Sequence, residues 1–331
     1  MTMNAAPQLS VVIPVYNEEA GLPALFARLY PALDALNVDY EVIFVNDGSR
    51  DGSAALLREQ WERRGDVTRV VLFNANYGQH TAIVAGFERC RGERVVTLDA
   101  DLQNPPEEIA RLLAAMDAGH DYVGGVRRAR EDSLWRRMAS RAMNRLRERI
   151  TRIRMTDQGC MLRAYSREIV AAVAASREVS TYIPALAYTF AARPTEVDVA
   201  HEERAAGESK YSLYKLIRLN FDLITGFSLV PLQLFSMFGM MVSLLALLAY
   251  VVVIAYRLAV SDWHDLATVR VLWDRDILAF FLIGMLLFGL GLIGEYVGRI
   301  YQQVRERPRY TIRAVLETRN NAAGDDEAAE P

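Results

Sequence analysis

Up to about residue 208, short apolar runs alternate with stretches whose apolar positions recur at helical spacing. Leu9–Val15 (LSVVIPV), Tyr40–Val45, Thr68–Phe73, Arg94–Leu98 and Tyr122–Val126 predict five strands, and Gln79 to about Cys90 a helix. Near-continuous apolar strands separated by helices predict an α/β fold, with a parallel sheet covered on both faces. Ligands of such sheets gather at the carboxyl ends of the strands. The polar residues stand there: Asn17 and Glu18, Asp47, Asn74, then Asp99 and Asp101.

The pattern changes beyond residue 230. Ser236–Ala255 is a run of 20 uncharged residues and Ile277–Gly294 a run of 18. Each is long enough to cross a hydrocarbon core of about 30 Å as a helix. Two such runs about a short polar segment predict a transmembrane hairpin rather than two core helices. Lys210, Lys215 and Arg218 precede the first run, and Arg299, Arg305, Arg307, Arg309 and Arg313 follow the second. That bias predicts a cytoplasmic first domain, both ends of the chain in the cytoplasm, and the loop near 258–276 outside. Between the halves, Leu213, Leu216, Ile217, Phe221 and Ile224 recur at helical spacing among sparse charges. They predict an amphipathic helix lying on the bilayer, with a break at Pro231. The expected organisation is a cytosolic domain over 1–208, interfacial helices over 209–234 and two spans within 235–300, at about 235–258 and 277–298. A cytosolic segment over 301–331 ends in a disordered, acidic, Ala-rich tail. No basic region followed by an apolar run opens the chain, so no cleavable signal is expected.

The chain of 331 residues has a net charge of −3, which gives no reason to expect a nucleic-acid partner. Its two cysteines, Cys90 and Cys160, exclude a disulfide framework. Cys160 reads as a small buried residue. No GxGxxG follows the first strand and no P-loop motif occurs, which argues against a common dinucleotide site or a P-loop NTPase. The four histidines, at 80, 120, 201 and 264, lack metal-ligand spacing.

Asp99-Ala100-Asp101 follows an apolar strand directly. Two carboxylates so placed can approach one divalent cation, which would neutralise a diphosphate leaving group. A solvated acidic turn is the bland alternative, and the strand-end position speaks against it. Asp47 can accept hydrogen bonds from a nucleobase, or it can serve as an Asx-turn or helix cap before Asp51-Gly52-Ser53; the spacing leaves both open. Residues 127–154 carry eleven arginines against three acids. Most fit a solvated or lipid-facing helix face, while Arg127 and Arg136 or Arg137 can bind phosphate oxygens. Arg204, Ser209 and Lys210, in RAAGESKY, combine two cations, a hydroxyl and a flexible glycine at the expected membrane surface. They suit a phosphate clamp, against the plainer reading of a cluster that attracts lipid head groups.

VVIPVYNEE, VNDGS, DADLQNPPEE and RAAGESKY together resemble family 2 glycosyltransferases that act on polyprenyl phosphates. The resemblance covers roughly residues 8–315. Within that family, NANYGQHTAIVAGF, DQGCMLRAYSREI and GEYVGRIYQQVRERPRY are most similar to the branch transferring 4-deoxy-4-formamido-L-arabinose to undecaprenyl phosphate. That branch serves lipid A modification and polymyxin resistance. Two departures occur: Asn46 where a second Asp is frequent, and Gln158 where Tyr can stand. The resemblance implies a GT-A, Rossmann-like domain, a UDP-sugar donor and an undecaprenyl phosphate acceptor. It also implies Mg²⁺ or Mn²⁺, and a bacterial inner-membrane enzyme that assembles as a homo-oligomer, a tetramer. By the same resemblance, Pro14, Tyr16, Glu18 and Asp47 surround the uridine. Asp99, Asp101 and Gln103 bind metal and diphosphate, and Arg127 and Arg136 reach phosphate oxygens. Arg204, Ser209 and Lys210 hold the acceptor phosphate, and Asp157 sits near sugar and acceptor, as a base or an orienting group.

The reaction implied is an inverting transfer in which the lipid phosphate attacks the anomeric carbon and UDP leaves. A polyprenyl-phosphate glucosyl- or mannosyltransferase is the alternative. A processive polysaccharide synthase fits less well, since no QxxRW segment is present and two spans leave little channel. A non-catalytic scaffold would have no reason to place acids at successive strand ends.

Overall fold

The computed structural model describes residues 6–127, 153–157, 159–176, 182–202, 275–304 and 308–318, with part of 230–248. The chain divides into two compact units. One comprises Met1–Glu148, Arg152–Tyr211 and Arg307–Pro331, the other Arg149–Thr151 and Ser212–Glu306.

The first unit is built on an eight-stranded sheet in the order β7-β5-β6-β4-β1-β2-β3-β8. Its strands are β1 Leu9–Val15, β2 Tyr40–Asn46, β3 Thr68–Phe73, β4 Arg94–Thr97, β5 Tyr122–Arg127, β6 Arg163–Ser166, β7 Pro194–Val199 and β8 Ile312–Leu316. β1 lies at the centre, parallel to β2 and β4. It is buried on both faces apart from Pro14, and β2 is buried throughout, which is why both read as unbroken apolar runs. Helix α1 (Leu22–Asp34) places Leu22, Leu25, Leu29 and Leu33 against the sheet, at the spacing of one helical face. Each leucine so buried contributes about 2 kcal/mol. Phe26 of that helix meets Phe44 of β2 edge to face, with ring centroids 5.5 Å apart. The remaining helices are α2 (Ser53–Arg63), α3 (Gln79–Phe87), α4 (Ile109–Asp117), α5 (Arg167–Ala175) and α6 (Ile183–Phe190).

The five expected strands are present, but the sheet is mixed rather than parallel. β6 is inserted antiparallel between β4 and β5, and β8 pairs antiparallel with β3. Neither gives an apolar run. β6 is four residues long and opens with a fully buried arginine, while β8 alternates between half-buried and exposed positions as an edge strand does. Because β6 runs backwards, β5 points the same way as β1, β2 and β4, and the expected carboxyl edge is preserved.

In the second unit, α7 (Arg275–Val304) is 30 residues long, about 45 Å at 1.5 Å per residue. Its segment Leu282–Tyr301 is the one helix among the described residues long and apolar enough to cross a membrane. Leu286, Leu287 and Phe288 are 62–64% exposed on it. The expected first span, at 235–258, falls largely outside the described residues, and those described within 230–248 are helical. Phe235 from that segment packs on α7, its ring 5.7 Å from Phe288 and occupying the space a side chain at Gly289 would need. The expected interfacial helix from 209 and the tail from 320 also lie outside the described residues.

Candidate active site

The loops that follow β1 and β2 lock together. Val15 pairs with Asn46, and the Asp47 amide donates to the Val15 carbonyl at 2.9 Å. The Asn17 amide donates to Ser49 Oγ, and the Arg50 amide donates back to Asn17 Oδ1. The Glu18 amide donates to Ser53 Oγ, the Glu19 amide to Asp51, and the Gly52 amide to the Glu19 carboxylate. The YNEE and NDGSRDGS motifs thus satisfy each other's backbone groups, and Tyr16 remains 44% exposed beside them.

Asp47 is buried at 2% exposure and fastens a second loop. Its Oδ1 accepts from the Tyr77 amide at 2.6 Å, and its Oδ2 accepts from the Gly78 amide and Asn76 Nδ2, both at 2.8 Å. Burial pushes the Asp47 carboxyl up from its ordinary value, against the pull of those two amides. A carboxylate has about four acceptor positions, so one remains, on Oδ1. Gly48, at φ +65°, lies against the Ala75 backbone with no room for a side chain. Gly78, at φ +94°, turns the chain into α3. The first residue of that helix, Gln79, donates from Nε2 to Asp99 Oδ1 at 2.6 Å. Asp47 therefore holds the loop that presents Gln79 to the first carboxylate of the pair.

Asp101 closes the same site with an Asx-turn, its Oδ1 accepting from the Gln103 amide at 3.2 Å. Leu102 between them adopts φ +58°, a left-handed conformation that costs about 1 kcal/mol or more for a leucine. The Gln103 carbonyl accepts from the Glu202 amide at 2.9 Å, which ties the chain beyond β7 to this loop.

Arg127, at the end of β5, meets Asp157 side by side. Nε lies 2.6 Å from Oδ2 and Nη2 lies 2.8 Å from Oδ1. Burial alone would raise the Asp157 carboxyl, but its hydrogen bonds to Arg127 and to the Gly159 amide outweigh this and hold it below its usual value. The hydrogen bond that Arg127 donates to Asp157, ahead of weaker attraction from the Asp99 charge, keeps Arg127 fully protonated. Behind them, buried Arg163 donates from Nη2 to the Asp157 carbonyl at 2.6 Å and from Nε to the Cys160 carbonyl at 2.9 Å. It fixes the 157–160 loop on β6.

The profile of Glycosyl transferase family 2 matches residues 10–173. An undecaprenyl-phosphate 4-deoxy-4-formamido-L-arabinose transferase of Aeromonas hydrophila is 48% identical over 93% of this chain and 94% of its own. Proteins of the same name from Serratia proteamaculans and Pseudomonas aeruginosa are 50% and 49% identical over 93% of this chain, and over 94% and 90% of theirs. The chain belongs to glycosyl transferase family 2. Among solved structures, the glucosyl-3-phosphoglycerate synthase of Mycobacterium tuberculosis, in complex with Mn²⁺ and UDP-glucose, is 18% identical. It aligns with a TM-score of 0.47 over 66% of this chain and 77% of that one.

For this glycosyltransferase, the expected site residues divide into three sets. Pro14, Tyr16, Glu18 and Asp47 fall on the joined β1 and β2 ends, Asp99, Asp101 and Gln103 on the loop after β4, and Arg127 and Asp157 in one ion pair. Arg136, Arg204, Ser209 and Lys210 lie outside the described residues. Among the described residues no group of three or more His, Cys, Asp or Glu forms a closed metal site. The side chains of Asp99, Asp101 and Gln103 would offer only hard oxygen ligands, a chemistry that suits Mg²⁺ or Mn²⁺. Gln79 and Arg163, which brace Asp99 and the Asp157 loop, are residues that sequence reasoning passed over. The one signal was the NYGQH run, in which Gln79 opens a helix next to a strand end.

Proposed function

We propose that this glycosyltransferase moves 4-deoxy-4-formamido-L-arabinose from its UDP donor to undecaprenyl phosphate. The setting is the cytoplasmic face of a bacterial inner membrane, in the service of lipid A modification and polymyxin resistance. The observation that carries the reading is near-full-length identity of 48–50% to proteins of that name. The carboxylate pair after β4, on the same sheet edge as the Arg127–Asp157 pair, supports it.

Pro14, Tyr16 and Glu18 enclose the uridine, and the remaining acceptor position on Asp47 takes the base N–H. Asp99, Asp101 and Gln103 hold Mg²⁺ or Mn²⁺, which when bound neutralises the charge developing on the UDP leaving group. Gln79 fixes the orientation of Asp99. Arg127 spends Nε and Nη2 on Asp157, and its Nη1 makes no hydrogen bond among the described residues, so it is available to a donor phosphate oxygen. Arg136 adds a second such contact. Arg204, Ser209 and Lys210 bind the acceptor phosphate. The supporting fact is that Arg204 follows Glu202 by two residues, and the Glu202 amide is tied to the Gln103 carbonyl.

An acceptor phosphate monoester has its second pKa near about 6 and is already mostly dianionic at neutral pH. No base is needed to make the nucleophile. Asp157, held ionised by Arg127, is a poor proton acceptor and acts instead as an orienting group.

Leu282–Tyr301 forms one arm of a two-helix hairpin in the membrane, and the run from Ser236 the other. The exposed apolar surface of α7 and the seat of Phe235 on it support this. The excess of Lys and Arg at the outer flanks of the two runs supports a cytoplasmic location of both ends.

The test uses the purified full chain in detergent with undecaprenyl phosphate, Mn²⁺ and a panel of UDP-sugars, lipid products being read by mass spectrometry. The expected result is product with the UDP-linked formamido-arabinose alone. Product with UDP-glucose or another hexose instead would keep the fold and mechanism and overturn the sugar.

A further inference from the structure

A cavity of about 450 Å³ opens beside the donor edge, between the loops after β2 and β3, helix α2 and strand β8. Arg50, Arg58 and Arg313 line it, together with Asn46, Asn74 and Asn76, and none of the residues lining it is acidic. It contains none of Asp99, Asp101 or Gln79. Several arginines elsewhere in this unit are paired with acids: Arg28, Arg64, Arg69 and Arg94 each lie within 3.3 Å of a carboxylate oxygen. The guanidinium groups of Arg50, Arg58 and Arg313 have no such partner among the described residues.

The third arginine is delivered by an irregularity in the sheet. β3 and β8 pair Phe73 with Ile312 and Leu72 with Ala314, so Arg313 falls between two ladder partners with none of its own. An extra residue of this kind kinks an edge strand and re-aims its side chain. Here the re-aimed side chain is one of those lining the cavity. The opposite wall is held rigid, because Gly48 closes on the Ala75 backbone and Asn76 is pinned to Asp47. Three like charges gathered on one concavity repel each other, and an anion that engages them removes that cost.

We propose that this cavity is a second anion site that takes a phosphate group, separate from the donor diphosphate site. Guanidinium forks match phosphate oxygens, and the side-chain amides of Asn46 and Asn74 suit a small polar moiety attached to the phosphate. The cavity has room for more than a bare phosphate, which suits an organic phosphate. It comes either from an anionic phospholipid head group or from a soluble phosphate ester.

The experiment measures glycerol 3-phosphate binding to the metal-free full chain in nanodiscs of phosphatidylcholine, and again in nanodiscs containing phosphatidylglycerol. Saturable binding is expected, weakened roughly tenfold by Arg58→Gln or Arg313→Gln, as loss of one charge-assisted contact implies. Arg313→Lys should recover part of it, and Asp101→Asn should leave it unchanged. Loss of glycerol 3-phosphate binding when phosphatidylglycerol is present identifies the lipid source, and equal binding in both discs identifies the soluble one. Absence of saturable binding overturns the proposal. So does equal binding by an Arg50→Gln, Arg58→Gln, Arg313→Gln triple variant with unchanged melting temperature. Displacement of glycerol 3-phosphate by UDP, one for one, would assign the cavity to the donor site and overturn its separateness, leaving the glycosyltransferase reading intact.

Discussion

The central strands and helix α7 are made of the same residue types and use them in opposite ways. Val11, Ile13, Val42 and Phe44 are wholly buried, while Leu286, Leu287 and Phe288 on α7 point their side chains outward. In the sheet, burial on both faces fixes the strands so that the polar residues just past their ends are delivered to one edge. On α7, apolar side chains are displayed instead, as suits the proposed membrane span. One region excludes solvent to position chemistry, and the other, on that proposal, meets lipid to position the enzyme.

The largest break in that contrast should come from the polar edge. Asp101→Asn is expected to lower kcat by roughly a thousandfold while leaving the fold intact, checked by steady-state assay and circular dichroism. On the apolar side, Leu287→Arg should cost about 3 kcal/mol of insertion and reduce the membrane-integrated fraction, with the catalytic domain still folded. Fractionation that showed normal integration would undo the reading of α7. The ion pair offers a sharper probe. Arg127→Ala and Asp157→Asn should each lower kcat/KM by roughly tenfold to a hundredfold, and the double variant should be little worse than the weaker single one. A rate loss in Asp157→Asn that disappears at high pH would instead mark it as a base. Gln79→Ala should weaken Mn²⁺ binding by about tenfold, read by electron paramagnetic resonance, with Gln79→Glu separating charge from position. The smallest effect concerns stability. Burial depresses the His80 imidazole to about 4. A base depressed in the folded state contributes stability that is complete above its unfolded value near about 6.5 and is lost as pH falls through the folded one. His80→Leu should remove roughly 1 kcal/mol of the destabilisation between about pH 7 and pH 5.5, measured by urea unfolding.

Much of the edge could be read from the chain because strand ends announce themselves: an apolar run stops and Asp47 or Asp99 follows. The partners of those acids could not. Gln79 reaches Asp99 across 20 positions, and Arg127 reaches Asp157 across 30, through sheet geometry that periodicity does not encode. Arg163 reads as a surface residue, yet it is fully buried because backbone carbonyls and the Tyr122 hydroxyl satisfy its guanidinium. β6 and β8 escaped for the same reason: one is stabilised by hydrogen bonds to a buried cation, the other by an edge pairing with a strand about 240 residues earlier.

That pairing carries a practical consequence for anyone wishing to separate the sheet domain from α7. A fragment cut at residue 208 loses β8, and with it the cover over β3, where Tyr310 stacks on Phe73 at 4.8 Å. Its bare strand would invite self-association. A version without α7 needs residues 308–318 joined back through a linker, so that the last strand still closes the sheet.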